Sequence, residues 1–381
     1  HVRMEGQRWT IRDVSGTNDT GLVRCHGLFE ANGRGGGRLE LELTGTDVVL
    51  EPELRDALPP SMRRIWNDMA PRGSAEFTAR VRHDVGTRRT EVELEATPRG
   101  DTVSIEPAWF PYRLERLQGR LALKDGLLRF EGVRGVHART TVSTEGICRF
   151  TPDGGWHVSF ARLTADRFRV DHDVLRALPA GLQRAVADIR LKGLLSVDGA
   201  LDIYTTAPRE VTLPGGRSEV VPGPAAAAWD MQLDLEQATL DAGVPLEHVS
   251  GGIRLRGASD GEAWRTLGDV AIDTATWRGV HLTVLRGPLA IDAAGARFGA
   301  PAAVVSEPGS PRRLTAQLAG GTLQLDADVA PGEAGQFTVG LALADVDLER
   351  LAGDLLGGSS ASRGRVHGAI EVSGTRSGTH S

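Results

Sequence analysis

Apolar and polar residues alternate along most of this chain. Leu39, Leu41 and Leu43 are separated by Glu40 and Glu42. Successive side chains of a pleated strand point to opposite faces, so the leucines share one side and the glutamates the other. Phe77, Ala79 and Val81 alternate with Thr78 and Arg80, Leu121 and Leu123 flank Ala122, and Leu128 and Phe130 flank Arg129. The rhythm returns in Met231, Leu233 and Leu235, in Ile253 and Leu255, in Val270 and Ile272, and in Leu282 and Val284. It returns again in Leu323 and Leu325, in Phe337, Val339 and Leu341, and in Ile370 and Val372. Turn signals lie between these runs, such as Lys124-Asp125-Gly126, Pro152-Asp153-Gly154-Gly155 and Val197-Asp198-Gly199. One apolar and one polar side per strand suits an antiparallel sheet that is wet on one face. The pattern predicts an all-β chain of on the order of twenty strands, which at ~4.8 Å spacing would extend roughly 100 Å as one open sheet.

Helical spacing is rare. Leu58, Met62, Ile65, Trp66 and Met69 fall on one helical face, with Pro59 tolerated in the first turn. Leu178, Leu182, Val186 and Ile189 give a similar face, with Pro179 in the same place. Two short amphipathic helices lying on the sheet or capping its end are expected.

The chain repeats itself. Gly16 and Gly135, Gly27 and Gly146, and Asp47 and Asp166 are each 119 apart. Ala57-Leu58-Pro59 matches Ala177-Leu178-Pro179, and Gly73 matches Gly193, at an offset of 120. Trp9, Ile11 and Val14 fall in register with Leu128, Phe130 and Val133. A looser third copy is signalled by Arg278-Gly279-Val280-His281, identical to Arg134-Gly135-Val136-His137. Leu114-Glu115 with Leu117 and Gly119 recurs as Leu246-Glu247 with Val249 and Gly251, offset by 132. Asp345 to Gly374 resembles the helix-and-strand part of a further unit. The expected organisation is one continuous β-repeat array with approximate units 1–145, 146–300 and a partial 301–381. Pro208 to Ala228 reads as a long hairpin loop inserted into the second unit, and a boundary there is the alternative.

Composition sharpens this picture. Glycine accounts for 48 of 381 residues, about twice its usual share, which suits many strands and turns. The formal net charge of -6 argues against nucleic acid, because phosphate binding on that scale needs clustered Lys and Arg. Cys25 and Cys148 form no metal or redox spacing, so free thiols are expected, with a disulfide the alternative. No apolar run approaches the ~20 residues that span a bilayer as a helix. The first residue is His1 and the chain closes on a Gly/Ser-rich stretch, so a piece of a longer protein is expected.

Candidate chemistry is thin. Gly33-Arg34-Gly35-Gly36-Gly37 lacks the Gly-Lys-Ser/Thr and the helix of a phosphate loop and reads as a hairpin loop. Asp171-His172-Asp173 sits where a helix starts, and Asp is favoured there as a cap. His137 and His281 share a motif but no carboxylate or serine neighbour, so a structural position is expected. Trp109-Phe110-Pro111-Tyr112 is the one aromatic cluster, suited to packing at a sheet rim or to a membrane surface. Glu106 and Glu115 flank it without forming a glycosidase pair. The expectation is no catalytic residue, no metal, no cofactor and no enzyme.

Leu114-Glu115-Arg116-Leu117-Gln118-Gly119-Arg120-Leu121-Ala122-Leu123-Lys124-Asp125-Gly126-Leu127-Leu128-Arg129-Phe130 opens with Leu-x-Gly-x-Leu, turns at Asp-Gly and returns with alternating apolar residues. Leu318 to Ala327 repeats a glycine-then-alternating strand. In this cadence the chain resembles the AsmA-like group, which includes the TamB and YhdP type proteins of Gram-negative envelopes. The resemblance implies an elongated, twisted, mostly antiparallel sheet with a taco-like apolar groove. It implies a non-enzymatic periplasmic protein that shields and conducts phospholipid acyl chains between inner and outer membranes. It also implies an inner-membrane anchor outside this stretch and an outer-membrane protein partner. Leu39, Leu41, Leu43, Phe77, Val81, Leu121, Leu123, Leu128, Phe130, Met231, Leu233, Leu235, Ile253, Leu255, Val270, Ile272, Leu323, Leu325, Phe337, Val339 and Leu341 are the candidate groove lining. The alternative is a structural or adhesive β-sandwich with a dry core and no ligand. An outer-membrane barrel ranks last, because aromatic residues make up 5% and form no interfacial girdle.

Overall fold

The computed structural model describes the chain apart from residues 19, 34, 59, 109, 152–154, 179–182, 184–185, 188, 206–208, 213–217, 222–224, 242–244, 300–312, 332–334, 357–362 and 376–381. The protein is all-β, with antiparallel pairing in every register described. It divides into two compact units, His1–Thr164 with Asp202–Ala225, and Ala165–Leu201 with Ala226–Ser381. The division falls inside three strands, Trp156–Phe168, Lys192–Thr205 and, at its first residue, Ala225–Asp241.

In the first unit β1 (Val2–Glu5), β2 (Arg8–Asn18), β3 (Gly21–Ala31) and β4 (Gly37–Val49) form a meander. Helices α1 (Pro52–Ala57) and α2 (Pro60–Met69) follow, then β5 (Ser74–Asp84), β6 (Arg89–Pro98), β7 (Glu115–Lys124), β8 (Leu127–His137) and β9 (Thr140–Phe150). The strand Trp156–Phe168 is β10. Helix α3 (His172–Ala177) and the strand β11 (Lys192–Thr205) come next. The expected long loop contains its own antiparallel hairpin, β12 (Arg209–Thr212) with β13 (Ser218–Val221). In the second unit β14 (Ala225–Asp241), β15 (Pro245–Ser259), β16 (Trp264–Trp277) and β17 (Val280–Asp292) form a second meander. Short strands β18 (Gly295–Phe298) and β19 (Leu314–Leu318) both pair with β17 and with β20 (Gly321–Val329). The meander ends on β21 (Gln336–Asp347), helix α4 (Leu348–Leu356) and β22 (Arg365–Thr375).

One device recurs in strand after strand, a single extra residue in the left-handed region. Asp13 in β2, Asp47 in β4, Arg116 in β7, Gln237 in β14, His248 in β15, Val284 in β17 and Asp345 in β21 have φ between 50° and 61°. At each the ladder register slips, as between Gly45 and Val48 or between Leu343 and Val346. This is a β-bulge, and it flips the alternation of every later residue in its strand. The sequence shows the flip: Leu39, Leu41 and Leu43 are odd-numbered, while Val48 beyond the bulge is the buried position, at 3% exposure. Val249, Ala238 and Val346, 1% exposed or less, sit just past their own bulges. The expected pairing of Leu282 with Val284 is corrected here: Val284 is the inserted residue and stays half-exposed, while Leu282 pairs with Leu318.

The bulges also carry the repeat. Asp13 and Gly132 are both left-handed at an offset of 119, Asp47 and Arg167 at 120, and Ala70 and Arg190 at 120. Arg116 and His248 match at 132, the offset of the third copy. The shared Arg-Gly-Val-His, by contrast, is no structural equivalence: the first copy ends β8, whereas Arg278 and Gly279 turn the chain into β17.

The helices depart from expectation in one respect. The apolar spacing from Leu58 to Met69 is broken, because Leu58 is extended as the C-cap of α1 and α2 starts at Pro60; Pro59 is outside the described residues. Met62, Ile65, Trp66 and Met69 remain the apolar face of α2. In the equivalent segment Leu178 again caps a helix, α3, while Pro179 and Leu182 are outside the described residues. Asp171 caps α3, accepting a 3.0 Å hydrogen bond from the Val174 amide. Asp347 caps α4 likewise, from the Glu349 and Arg350 amides. Strand, left-handed residue, helix and strand therefore recur three times. Among the described residues no helix is long and apolar enough to cross a membrane.

Gly73 (φ 106°) and Gly193 (φ 127°) open the strand after the helix in two of the copies, and a Cβ on Gly193 would stand 2.9 Å from the Ala238 Cα. Gly193→Ala is therefore expected to destabilise the fold by about 1–3 kcal/mol. Gly16→Ala, with nothing within 4 Å of its added carbon, should stay within about 0.5 kcal/mol. Urea unfolding of the two variants checks this difference.

Candidate functional site

Directly opposed residues of an antiparallel ladder lie on one face, so the registers show which apolar side chains line up. In the first unit Cys25, Leu43, Ala79, Leu94, Leu123, Leu128 and Cys148 follow one another from β3 to β9. Beside that row run Val23, Gly45, Phe77, Ala96, Leu121, Phe130 and Gly146. A third row, Ile11, Gly27, Leu41, Val81 and Val92, lies on the other flank. Phe160 of β10 continues the second row, its ring 5.9 Å from that of Phe130. Every side chain in these rows is apolar or absent.

The second unit builds the same feature from different residues. Met231, Leu255, Gly268, Leu289, Phe298, Ala327, Val339 and Val372 form one row. Leu233, Ile253 and Val270 run beside it, as do Leu314, Leu325, Leu341 and Ile370. Leu235 and Ile272 lie across from Gly251 between them. Ala316, Leu323 and Leu343 make a further row.

Burial grades the candidate lining. Leu123, Leu128, Leu235, Val270 and Ile272 are buried, while the other sixteen, from Leu39 to Leu341, are half-buried. In the second unit the buried members join a cluster with Val249, Val280, Leu282, Leu289, Leu318 and Val346, against which Leu351 of α4 packs. Each apolar face thus has a dry part and a part whose side chains still meet solvent.

Glycine shapes the floor of both faces, a feature that alternation alone does not reveal. A Cβ at Gly45 would run into the Phe77 ring, and one at Gly27 into the Leu41 side chain. Trp229 lies in the same way over Gly257, Leu255 over Gly268 and Phe337 over Gly374. The large side chains lie flat across the neighbouring strand instead of standing up from their own.

The opposite face is charged. Arg80 reaches Glu42 at 2.7 Å, Arg120 reaches Glu95 at 3.1 Å, and Arg254 and Arg256 both hold Asp230. These pairs keep Arg80 protonated and hold the Asp230 carboxyl below its ordinary range, chiefly through the hydrogen bond from Arg254. Exposed pairs of this kind are screened by water and contribute little, so they mark the wet side more than they stabilise it.

The remaining sequence candidates are not brought together into one site. Tyr112 is buried with its ring 4.0 Å from His137, whose Nδ1 lies 2.7 Å from the Arg113 carbonyl; Trp109 is outside the described residues. His281 sits beside Thr276 in a different setting. Gly33, Gly35 and Gly36 connect β3 to β4 in a hairpin; Arg34 is outside the described residues. Among the described residues no group of three or more His, Cys, Asp or Glu is placed to hold a metal. Cys25 and Cys148 are free, separated along one row by six strand spacings, roughly 29 Å.

No family model, curated protein or solved structure matches this chain.

The two thiols report on the two environments. Burial pushes Cys148 up to about 12 and raises Cys25 by less, and a raised pKa leaves less thiolate at any given pH. At pH 8.5 a maleimide is expected to modify Cys25 slowly in the folded protein. Cys148, fully buried, should react only after unfolding, and peptide mass mapping distinguishes the two.

Proposed function

We propose that this protein is a non-enzymatic lipid carrier whose half-buried apolar strips shelter phospholipid acyl chains. The observation that carries this reading is the unbroken run of apolar cross-strand neighbours, seven strands long in the row from Cys25 to Cys148. All sixteen half-buried lining residues carry side chains larger than alanine, and they keep part of their surface free for another apolar partner. An acyl chain laid along them is stabilised by ~0.8 kcal/mol per methylene removed from water. The head group stays in water, and the Arg–carboxylate face keeps the opposite side wet. The task needs no nucleophile, metal or cofactor. In keeping with the cadence of Leu114–Phe130, the proposed setting is the periplasm of a Gram-negative-type envelope, with movement of phospholipid between the inner and outer membranes.

A second reading, a scaffold with a dry core, is favoured locally in the second unit. There Leu235, Val270, Ile272 and Leu289 are all at most 7% exposed and pack into one apolar cluster.

A charge pointing into an apolar path is costly to desolvate. Leu41→Asp and Leu233→Asp, at half-buried positions, are therefore expected to lower co-purified phospholipid severalfold, read by native mass spectrometry. Glu42→Gln, on the opposite face of the same strand as Leu41, should leave it unchanged. Folded variants that retain wild-type lipid, or a wild-type protein that carries none, would leave the scaffold as the better account.

A further inference from the structure

Helices α1 and α2 meet in an open cleft of about 510 Å³ lined by Arg55, Asp56, Arg63, Arg64 and Asn67. That volume falls within the range of small-molecule sites, roughly 300–1,000 Å³. Its walls follow from helix geometry. Met62, Ile65, Trp66 and Met69 take the apolar face of α2, which leaves Arg63 and Asn67, one turn apart, with Arg64 on the polar face. Arg55 and Asp56 supply the facing wall from the last turn of α1.

The charge in this cleft is unbalanced. Three guanidinium groups meet one carboxylate, a local excess of 3 − 1 = +2 on a chain whose formal net charge is -6. Asp56 is engaged by its neighbour Arg55 at 2.8 Å. The carboxylate that follows on α2, Asp68, is outside the lining: its Oδ2 accepts from the Trp156 indole at 3.1 Å. Arg64 is drawn toward Asp68 only through space, and Arg63 has no ion pair among the described residues. Guanidinium forks left without carboxylates match the oxygens of a phosphate group, which accepts two parallel hydrogen bonds from each fork. An Asn amide one turn from Arg63 adds a neutral donor.

We infer that the α1–α2 cleft is a binding site for a phosphate-bearing anion, with Arg63 and Arg64 as its principal contacts. The site is separate from the apolar strips, and its test does not require that they hold lipid. The full chain is titrated calorimetrically with inorganic phosphate and with glycerol 3-phosphate, and is co-sedimented with phosphatidylglycerol/phosphatidylcholine vesicles and with phosphatidylcholine vesicles. The double substitution Arg63→Gln/Arg64→Gln, which removes both guanidinium charges, should weaken binding about tenfold or more. Asp56→Asn should tighten it, and Arg89→Gln, which removes one exposed charge on β6, should leave it unchanged. Retention on the anionic vesicles that free glycerol 3-phosphate does not displace identifies a lipid head group as the source of the phosphate; displacement identifies the soluble ester. Circular dichroism confirms that the variants fold. Absence of binding in both assays, or an equal loss in Arg89→Gln, overturns the assignment.

Discussion

Everything in this fold follows from strict opposition in antiparallel ladders. A residue that pairs across a strand shares its face with its partner, and the partner shares it with the next. Once Leu43 is apolar and paired with Cys25 and Ala79, the face is continued by whatever stands opposite, through Leu94 and Leu123 to Leu128. A slip of one residue would send Glu42 and Arg80 into the apolar row, so the chemistry of both faces depends on register being kept.

The bulges break that rule at fixed places. Each left-handed insertion turns the remainder of its strand over, so that Val48, Ala238 and Val346 face a dry interior although their numbering puts them out of phase with the strands they extend. The half-buried stretch and the filled stretch of a single strand are thereby two sides of one backbone irregularity. A groove for a long apolar ligand and a stabilising core make opposite demands on the same sheet, and the insertion lets one strand serve both. The three copies of strand, left-handed residue and helix place their caps, Asp171 and Asp347 among them, just beyond this point.

Much of this was legible in the residues. Leu39 to Leu43 can only be a strand with a greasy side, and the 119, 120 and 132 offsets that sequence matching finds are the offsets at which Asp13 and Gly132, Asp47 and Arg167, and Arg116 and His248 adopt the same backbone. The change of parity from Leu43 to Val48 was also present, as a signal of a bulge that alternation counted strand by strand does not use; Val284 was misplaced for that reason. The identity of Arg134–His137 with Arg278–His281 misled because four residues carry too little information to fix whether they end a strand or turn into one. The break between α1 and α2 escaped because a 3.6-residue period passes smoothly through Leu58, and only the extended backbone there reveals it. The arginine cleft combines residues of two helices, and no spacing along the chain announces it.

The flat-lying side chains have an evolutionary corollary. Phe77 occupies the space that a side chain at position 45 would need, and Leu41 does the same at position 27. Neither member of such a couple can change size alone: enlarging one demands that the other shrink. Related chains are thus expected to drift by exchange, a bulky residue migrating from one strand to its neighbour as the vacancy migrates back, so that the summed volume of the couple persists while the identity at each position does not.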